Sequence, residues 1–410
     1  MKAIKLLPLL LLLAVIFNSC SKSNVKPNTP KTTDTTGPGT TTGIVTGGPG
    51  VYVSGYDAAK ANSNSLPRVA TLWKDGKAYK LSDGTFNAGA SSVYADGTNV
   101  YVAGFESTKS GIGIAKLWVN GVATNLTDGK YDAKAFSVFV SNGKVYVAGY
   151  ESSKVLAGAG SYLPVAKLWV NNVATTLSSG AYATSVYVSA SDVYVTGSSE
   201  IANAMIWKNG VATTLTGSGA QDYPPTSIFV YNKDVYVAGE GYPTNTLDHK
   251  WFMKLDSVTK NYLKSDLFVN GSYVYGFPYH IGVIWKNGIA DNPVLSEDYQ
   301  ALTYAKSVFV SGGDVYIAGG QQAGMATIWK NGVNTNLSKP NDIAAVYSVF
   351  VSGTDVYVAG MATNASGKRV ATLWKNGVAT NIGNSDNDTS TINLIGGGQA
   401  SSVFVVKKPA

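Results

Sequence analysis

The strongest constraint in this chain is that it repeats itself. A short apolar run, VYVSG at 51–55, returns as VYVAG at 100–104 and 145–149, VYVTG at 193–197, VYVAG at 235–239, YVYGF at 273–277, VYIAG at 315–319 and VYVAG at 356–360. Successive runs start 49, 45, 48, 42, 38, 42 and 41 residues apart. A period of that size restricts a chain to arrays in which each unit buries its apolar face against its neighbours. Within one unit, residues 346–382, four strand-like pieces follow one another. They are Ser348-Val349-Phe350-Val351, then Val356 to Gly360, then Ala371-Thr372-Leu373-Trp374-Lys375, then Val378 to Ile382. Asn376-Gly377 between the last two is a strong hairpin signal, because a type I′ turn needs two residues that accept positive φ. The same turn stands at Asp75-Gly76, Asn120-Gly121, Asn209-Gly210, Asn287-Gly288 and Asn331-Gly332. The strand pieces are β-branched and aromatic, and the body shows no convincing helical period.

Four strands in a little over forty residues is the size of one propeller blade. The expected fold class is therefore all-β, a β-propeller of eight four-stranded blades. Trp73, Trp118, Trp169, Trp207, Trp285, Trp329 and Trp374 hold one place in seven units, which reads as packing between blades. The first unit opens with its second strand, whereas the chain ends on a lone first strand, Ser402-Val403-Phe404-Val405. The expectation is that this C-terminal strand completes blade one; residues 43–46 are the rival for that place. The pattern resembles bacterial β-propeller repeats as a class. It lacks the sialidase Asp-box, the Gly-His and Trp-Asp pairs of Trp-Asp repeats, and the recurring double Gly of kelch repeats, so the resemblance implies a fold without an activity.

Ahead of the repeats lies a different kind of chain. Lys2 and Lys5 precede a short apolar stretch that ends in Ser19-Cys20, and Cys20 is the sole cysteine. A stretch this short has the form of a secretory signal rather than a membrane span. A small residue before a lone cysteine resembles the lipobox of bacterial lipoproteins, which implies lipidation of Cys20. Residues 1–19 are then the signal peptide, residues 20–50 a Thr-, Pro- and Gly-rich tether, and residues 51–410 the propeller. Ser21 after the cysteine resembles lipoproteins sorted to the outer membrane, so the implied location is the cell envelope, periplasmic or surface-facing.

The formal charge of +7 falls to about +3 beyond residue 50, where 27 basic residues face 24 acidic ones. No Lys/Arg cluster occurs, which argues against nucleic acid as a partner. Two histidines and one cysteine make no zinc pattern, and Asn384-Ser385-Asp386-Asn387-Asp388 lacks the Gly and distal Glu of a calcium loop. No metal or cofactor is expected, and the chain is expected to be a monomer.

In a propeller the loops after the second and fourth strands share one face, and here those loops are the long, variable ones. Any site is expected there. An acidic series follows the second strand in Asp57, Glu106, Glu151, Glu200 and Glu240, suited to a cation or to sugar hydroxyls. Aromatic residues gather nearby in Tyr56, Phe105, Tyr131, Tyr150, Tyr182, Tyr223, Tyr242 and Tyr279. Units five and six break the pattern: Trp251 is out of step, Lys254 falls where a Trp is expected, and Asp266 replaces the Ser that opens other first strands. Both histidines, His249 and His280, lie in these units, beside Asp248 and Tyr279. The candidate ligand-binding set is thus Asp57, Glu106, Glu151, Glu200, Glu240, His249, Asp266, Tyr279 and His280. The leading functional reading is a binding module for a glycan or protein. The alternatives are a carbohydrate-active hydrolase or lyase using loop carboxylates or Tyr279 and His280, and a purely structural envelope protein.

Overall fold

The computed structural model describes residues 45–59, 67–156, 162–199, 203–216, 225–241, 281–290, 302–321, 325–339, 342–383 and 397–408. Twenty-eight strands, numbered in chain order, form seven four-stranded antiparallel sheets. Blade one combines β1 (Gly50–Ala58), β2 (Arg68–Lys74) and β3 (Lys77–Lys80) with the C-terminal β28 (Gln399–Val406) as its innermost strand. The first and last strands of the body pair from Gly50↔Val406 to Tyr56↔Gln399, which closes the ring. Residues 45–47 form no strand, although Val45 is buried against blades one and two.

The blade count is seven, which corrects the expectation of eight. Strand β17 (Asp234–Gly241) pairs directly with β18 (Ile281–Lys286), and β18 with β19 (Ile289–Ala290). Units five and six of the repeat are therefore one blade, whose connection from 242 to 280 contains the YVYGF run and lies outside the described residues. Blade five takes Trp285 as its tryptophan, not a residue at 254. The inter-blade packing has no vacancy for an eighth member. Each of seven apolar clusters joins two neighbouring blades around one tryptophan. Trp118, Trp169, Trp207, Trp285, Trp329 and Trp374 fill the seams from one–two to six–seven, and Trp73 fills the seam between seven and one. All seven side chains are at most 1% exposed.

The innermost strands are β28, β4 (Ala88–Ala95), β8 (Ala133–Ser141), β12 (Tyr182–Ser189), β16 (Ser227–Tyr231), β20 (Leu302–Ser311) and β24 (Ala344–Ser352). Each turns one edge toward the channel, where its backbone N–H groups have no ladder partner. One serine in each of these strands answers that need. Ser402, Ser92, Ser137, Ser185, Ser227, Ser307 and Ser348 each accept, at 3.1–3.4 Å, the N–H of Val93, Val138, Val186, Ile228, Val308, Val349 and Val403 in the next blade. Seven bonds make a closed circuit, and Ser227 reaches Val308 with no place for Asp266 between them. Two residues further along, Tyr94, Phe139, Tyr187, Phe229, Phe309, Phe350 and Phe404 touch ring to ring, with centroids 4.5–5.1 Å apart all the way round. This collar narrows the channel below its variable-loop mouth.

Just ahead of the serine in six of the seven inner strands stands an extra residue: Ser91, Phe136, Thr184, Lys306, Tyr347 and Ser401 lie where the register slips. The bulge presses a backbone carbonyl against the second strand, and this explains the glycine in VYVAG. A Cβ on Gly149 would lie 2.1 Å from the Lys134 carbonyl oxygen, and one on Gly360 2.1 Å from that of Ala345. No side chain fits.

The opposite face is built from tight turns. At the 3–4 hairpin, Asn120, Asn209, Asn287, Asn331 and Asn376 sit at φ of 48–53° and the following glycines at 82–86°. The asparagine also has a second task. Its side-chain oxygen accepts the N–H of the first residue in the blade's second strand, as in Asn376 Oδ1 with Val356 at 2.8 Å, and Asp75 does the same for Val51 at 2.9 Å. In blades four to seven the turn is tied further to an aspartate. Asp355 takes Lys375 at 2.8 Å, Asn376 Nδ2 at 2.8 Å and the Tyr357 hydroxyl at 3.3 Å. Asp192, Asp234 and Asp314 bind Lys208, Lys286 and Lys330 likewise.

Two outcomes test this account. Ser307→Ala leaves the Val349 N–H buried without an acceptor and should lower unfolding free energy by about 1–3 kcal/mol, read from urea denaturation; an unchanged midpoint would show that the serine circuit contributes nothing. The Lys208, Lys286, Lys330 and Lys375 hydrogen bonds, with the turn asparagines, hold their four aspartates below the ordinary carboxylate range (at Asp234, Asn287 leads). A depressed folded pKa stabilises above the unfolded value, about 3.9, and that stabilisation is lost as pH falls through the folded one. The denaturation midpoint should therefore hold from pH 7 to 5 and fall below pH 4. The fall below pH 4 should be shallower in Asp355→Asn.

Candidate functional site

The long connections of the variable face leave two recesses among the described residues. The first is a groove of about 290 Å³ on blade three, lined by Asp128, Lys130, Tyr131, Glu151, Ser152, Ser153, Val165 and Lys167. Its floor comes from β9 (Lys144–Leu156) and β10 (Tyr162–Val170). Glu151 stands opposite Val165 in that ladder, so Lys167, two residues on, shares its face. The Lys167 amine lies 3.9 Å from the carboxylate of Glu151 and 3.1 Å from the Thr176 hydroxyl. The 4–1 loop contributes a second pair, Lys130 Nζ to Asp128 at 2.8 Å, and Tyr131, whose ring meets the edge of Tyr162 at 5.4 Å. Tyr162 is 53% exposed. Burial pushes the Glu151 carboxyl above its ordinary value, against the pull of Lys167, while the hydrogen bond from Lys130 holds Asp128 below.

Behind the groove the aromatic cluster continues. Tyr150 packs on Phe136 at 5.7 Å and against Tyr182 at 4.9 Å. Its hydroxyl hydrogen-bonds to Asp132, and burial with that bond drives its pKa far up. Asp132 also accepts the Gly113 N–H at 2.9 Å, which fastens blade two to the 4–1 loop.

The second recess, about 190 Å³, opens at the mouth of the channel between blades one and two. Tyr56, Arg68, Gly89, Ala90, Ser91, Phe105, Gln399 and Ser401 line it. The Arg68 guanidinium lies over the Tyr56 ring at 4.5 Å, the Tyr56 hydroxyl is 3.1 Å from Gln399 Oε1, and Lys134 lies over Phe105 at 4.6 Å. Burial raises the Tyr56 phenol, partly offset by Arg68 and Arg369. The same two arginines act on Tyr347, which burial pushes up to about 12.

The acidic series does not converge. Glu106 forms an ion pair with Lys116, the diagonal arrangement that recurs as Glu151 and Lys167, and Glu240 forms one with Lys306 of blade six. Asp57 is 9% exposed and packs against Gly383 and Gly398, where an added Cβ would come within 2.8 Å of its Oδ1. Glu106, Glu151 and Glu240 are thus strand-to-strand or blade-to-blade cross-links, and Glu151 also lines the groove of blade three. Glu200, His249, Asp266, Tyr279 and His280 lie outside the described residues, as do Tyr223, Tyr242, Asp248, Trp251, Lys254 and Asn384 to Asp388.

Sequence reasoning passed over Arg68, Arg369, Lys134, Gln399 and Tyr347. A signal was present for the first two. They are the chain's sole arginines, and each stands five residues before a repeat tryptophan, Trp73 or Trp374; His280 stands likewise before Trp285.

No protein-family model matches the sequence, and no curated protein matches it. Among solved structures, a puromycin-hydrolyzing peptidase of Mycobacterium tuberculosis is similar at 11% identity over 88% of this chain and 57% of its own, with a TM-score of 0.48. The β-propeller domain of the Trilobed protease from Pyrococcus furiosus is similar at 10% identity over 83% of this chain and 98% of that domain, TM-score 0.45. A GH43_1 enzyme from Xanthomonas citri is similar at 11% identity over 65% and 94%, TM-score 0.30. At these values the assignment to the propeller class rests on the seven sheets themselves.

Proposed function

We propose that this chain is a glycan-binding module, held at the cell envelope by a lipid on Cys20, with its ligand in the groove of blade three. The observation that carries the reading is the composition of that groove. Half-buried Tyr131 in its lining, with exposed Tyr162 packed against it at the rim, offers an apolar ring face and edge, as sugar rings require. Beside it, two amine–carboxylate pairs and the hydroxyls of Ser152 and Ser153 supply donors and acceptors for sugar hydroxyls. A groove of this volume takes one or two sugar rings. The acyl chain and the residues 20–50 tether would leave such a face free to sweep the surroundings of its membrane.

A hydrolytic reading has one observation in its favour. Two carboxyls of a single groove are shifted in opposite directions, Glu151 up and Asp128 down. That is how a general acid is set apart from its ionised partner. It makes Glu151 the acid of such a reaction.

A glycan array on the full chain in detergent is the first test. Saturable binding to one glycan class is expected, weakened about tenfold by Tyr162→Ala, the equivalent of about 1.4 kcal/mol. A blank array would turn the assignment toward a protein partner. Reducing ends released from the bound glycan by the parent, and not by Glu151→Gln, would replace the binding reading with the hydrolytic one.

A further inference from the structure

We infer that the recess at the mouth of the central channel between blades one and two is a second binding site, specific for a carboxylate-bearing sugar such as a uronate. Two arginines, the only ones in the sequence, stand on the strands around it. Arg68 opens β2 in blade one, and Arg369 opens β26 (Arg369–Lys375), the equivalent strand of blade seven. Ring closure makes those blades neighbours, and the segment at the start of β28 links the two strands. Gly398 N–H donates to the Arg369 carbonyl at 3.2 Å, while Gln399 pairs with Tyr56 in β1. Arg68 thus lines the recess itself, and Arg369 stands behind it across the Gly398–Gln399 segment.

Among the described residues no carboxylate answers their charge. Eight lysines, at 116, 130, 167, 208, 286, 306, 330 and 375, are each matched to a carboxylate, but neither arginine makes an ion pair among the described residues. Arg369 Nε is buried with no hydrogen-bond partner among them. Arg68 is held over the Tyr56 ring, which fixes its plane and leaves its N–H edge unspent. The amine of Lys134, over Phe105, adds a third positive charge on the other flank. A guanidinium fork matches the two oxygens of a carboxylate, and an arginine so placed without a protein acid selects an external one.

The cavity is shaped for a sugar rather than a bare ion. It exists because the bulged residues of blades one and two are serines, Ser401 and Ser91, where blades three and seven carry Phe136 and Tyr347. Those two hydroxyls and the Gln399 amide line its sides, the rings of Tyr56 and Phe105 supply aromatic surface, and the aromatic collar lies below. Its volume of about 190 Å³ suits a single pyranose ring. This inference stands apart from the groove on blade three and does not depend on it.

The test is calorimetric titration of the full chain in detergent with trigalacturonate, its methyl ester and inorganic phosphate. Saturable binding of the acid is expected, with at least tenfold weaker binding of the ester. Arg68→Gln and Arg369→Gln should each weaken the acid at least tenfold, Arg68→Lys should restore part of the loss, and Tyr162→Ala should leave it unchanged. Far-ultraviolet circular dichroism confirms that each variant is folded. Absence of binding, equal affinity for the ester, or full affinity in both glutamine variants overturns the site. Phosphate binding in place of the sugar acid overturns the ligand class. Loss of affinity in Tyr162→Ala alone would move the acid to the groove and remove the second site.

Discussion

The inner edge of the ring is where this fold is decided. A propeller brings the first strand of every blade to the axis and leaves each with backbone donors facing a channel too narrow for a further strand. Here one hydroxyl per blade bridges to the next, and the circuit closes from Ser348 to Val403 and from Ser402 to Val93. Because the last two bonds involve the C-terminal strand, the circuit is complete only when the chain's two ends are paired in blade one. The serine thus does what a ladder bond does elsewhere, and it also sets the angle at which neighbouring blades meet. The tryptophan seams can pack only at that angle.

The rest of the motif follows from the same point. Putting the serine hydroxyl within reach of the neighbouring blade needs the inner strand bulged just before it. The bulge drives a carbonyl onto the second strand, and the second strand must then carry glycine at Gly55, Gly104, Gly149, Gly197 and Gly360. At the other end of the blade the asparagine of the Asn-Gly turn is preferred over glycine for a reason beyond φ. Its side chain caps the start of the second strand, so one residue closes the 3–4 hairpin and anchors the 1–2 hairpin.

Much of this was legible in the sequence. The four-strand unit, the hairpin turns and the packing role of the tryptophans follow from local pattern, and the C-terminal strand facing β1 follows from the repeat, which opens one strand short and ends one strand over. The number of blades was not, since it was counted on the VYV run alone. A run of β-branched and aromatic residues can occur without being the second strand of a blade, and the run at 273–277 lies outside the described residues. The serine that opens the inner strand and the tryptophan of the third strand each occur seven times, because each has a partner in the next blade that the fold requires. The partners of the acidic series were hidden for a related reason. Glu106 and Glu151 are repeated because a diagonal lysine repeats with them, and a strand-to-strand diagonal is visible only when register is known.

Repetition and function therefore occupy different residues. Positions that recur in every blade are held by the geometry of the ring and have no freedom to meet a ligand. The bulged residue is the exception: six blades carry it, but the bond that matters belongs to the serine after it, so its side chain is unconstrained. It is Phe136 in one blade, Lys306 in another, Ser91 and Ser401 in two more. The same holds for the residue five before the tryptophan, which begins the third strand as it leaves the variable face and is arginine only in the two blades that ring closure brings together. A sevenfold scaffold becomes asymmetric at these two layers, both at the mouth of the channel, and there a single ligand can find a surface that no other blade duplicates.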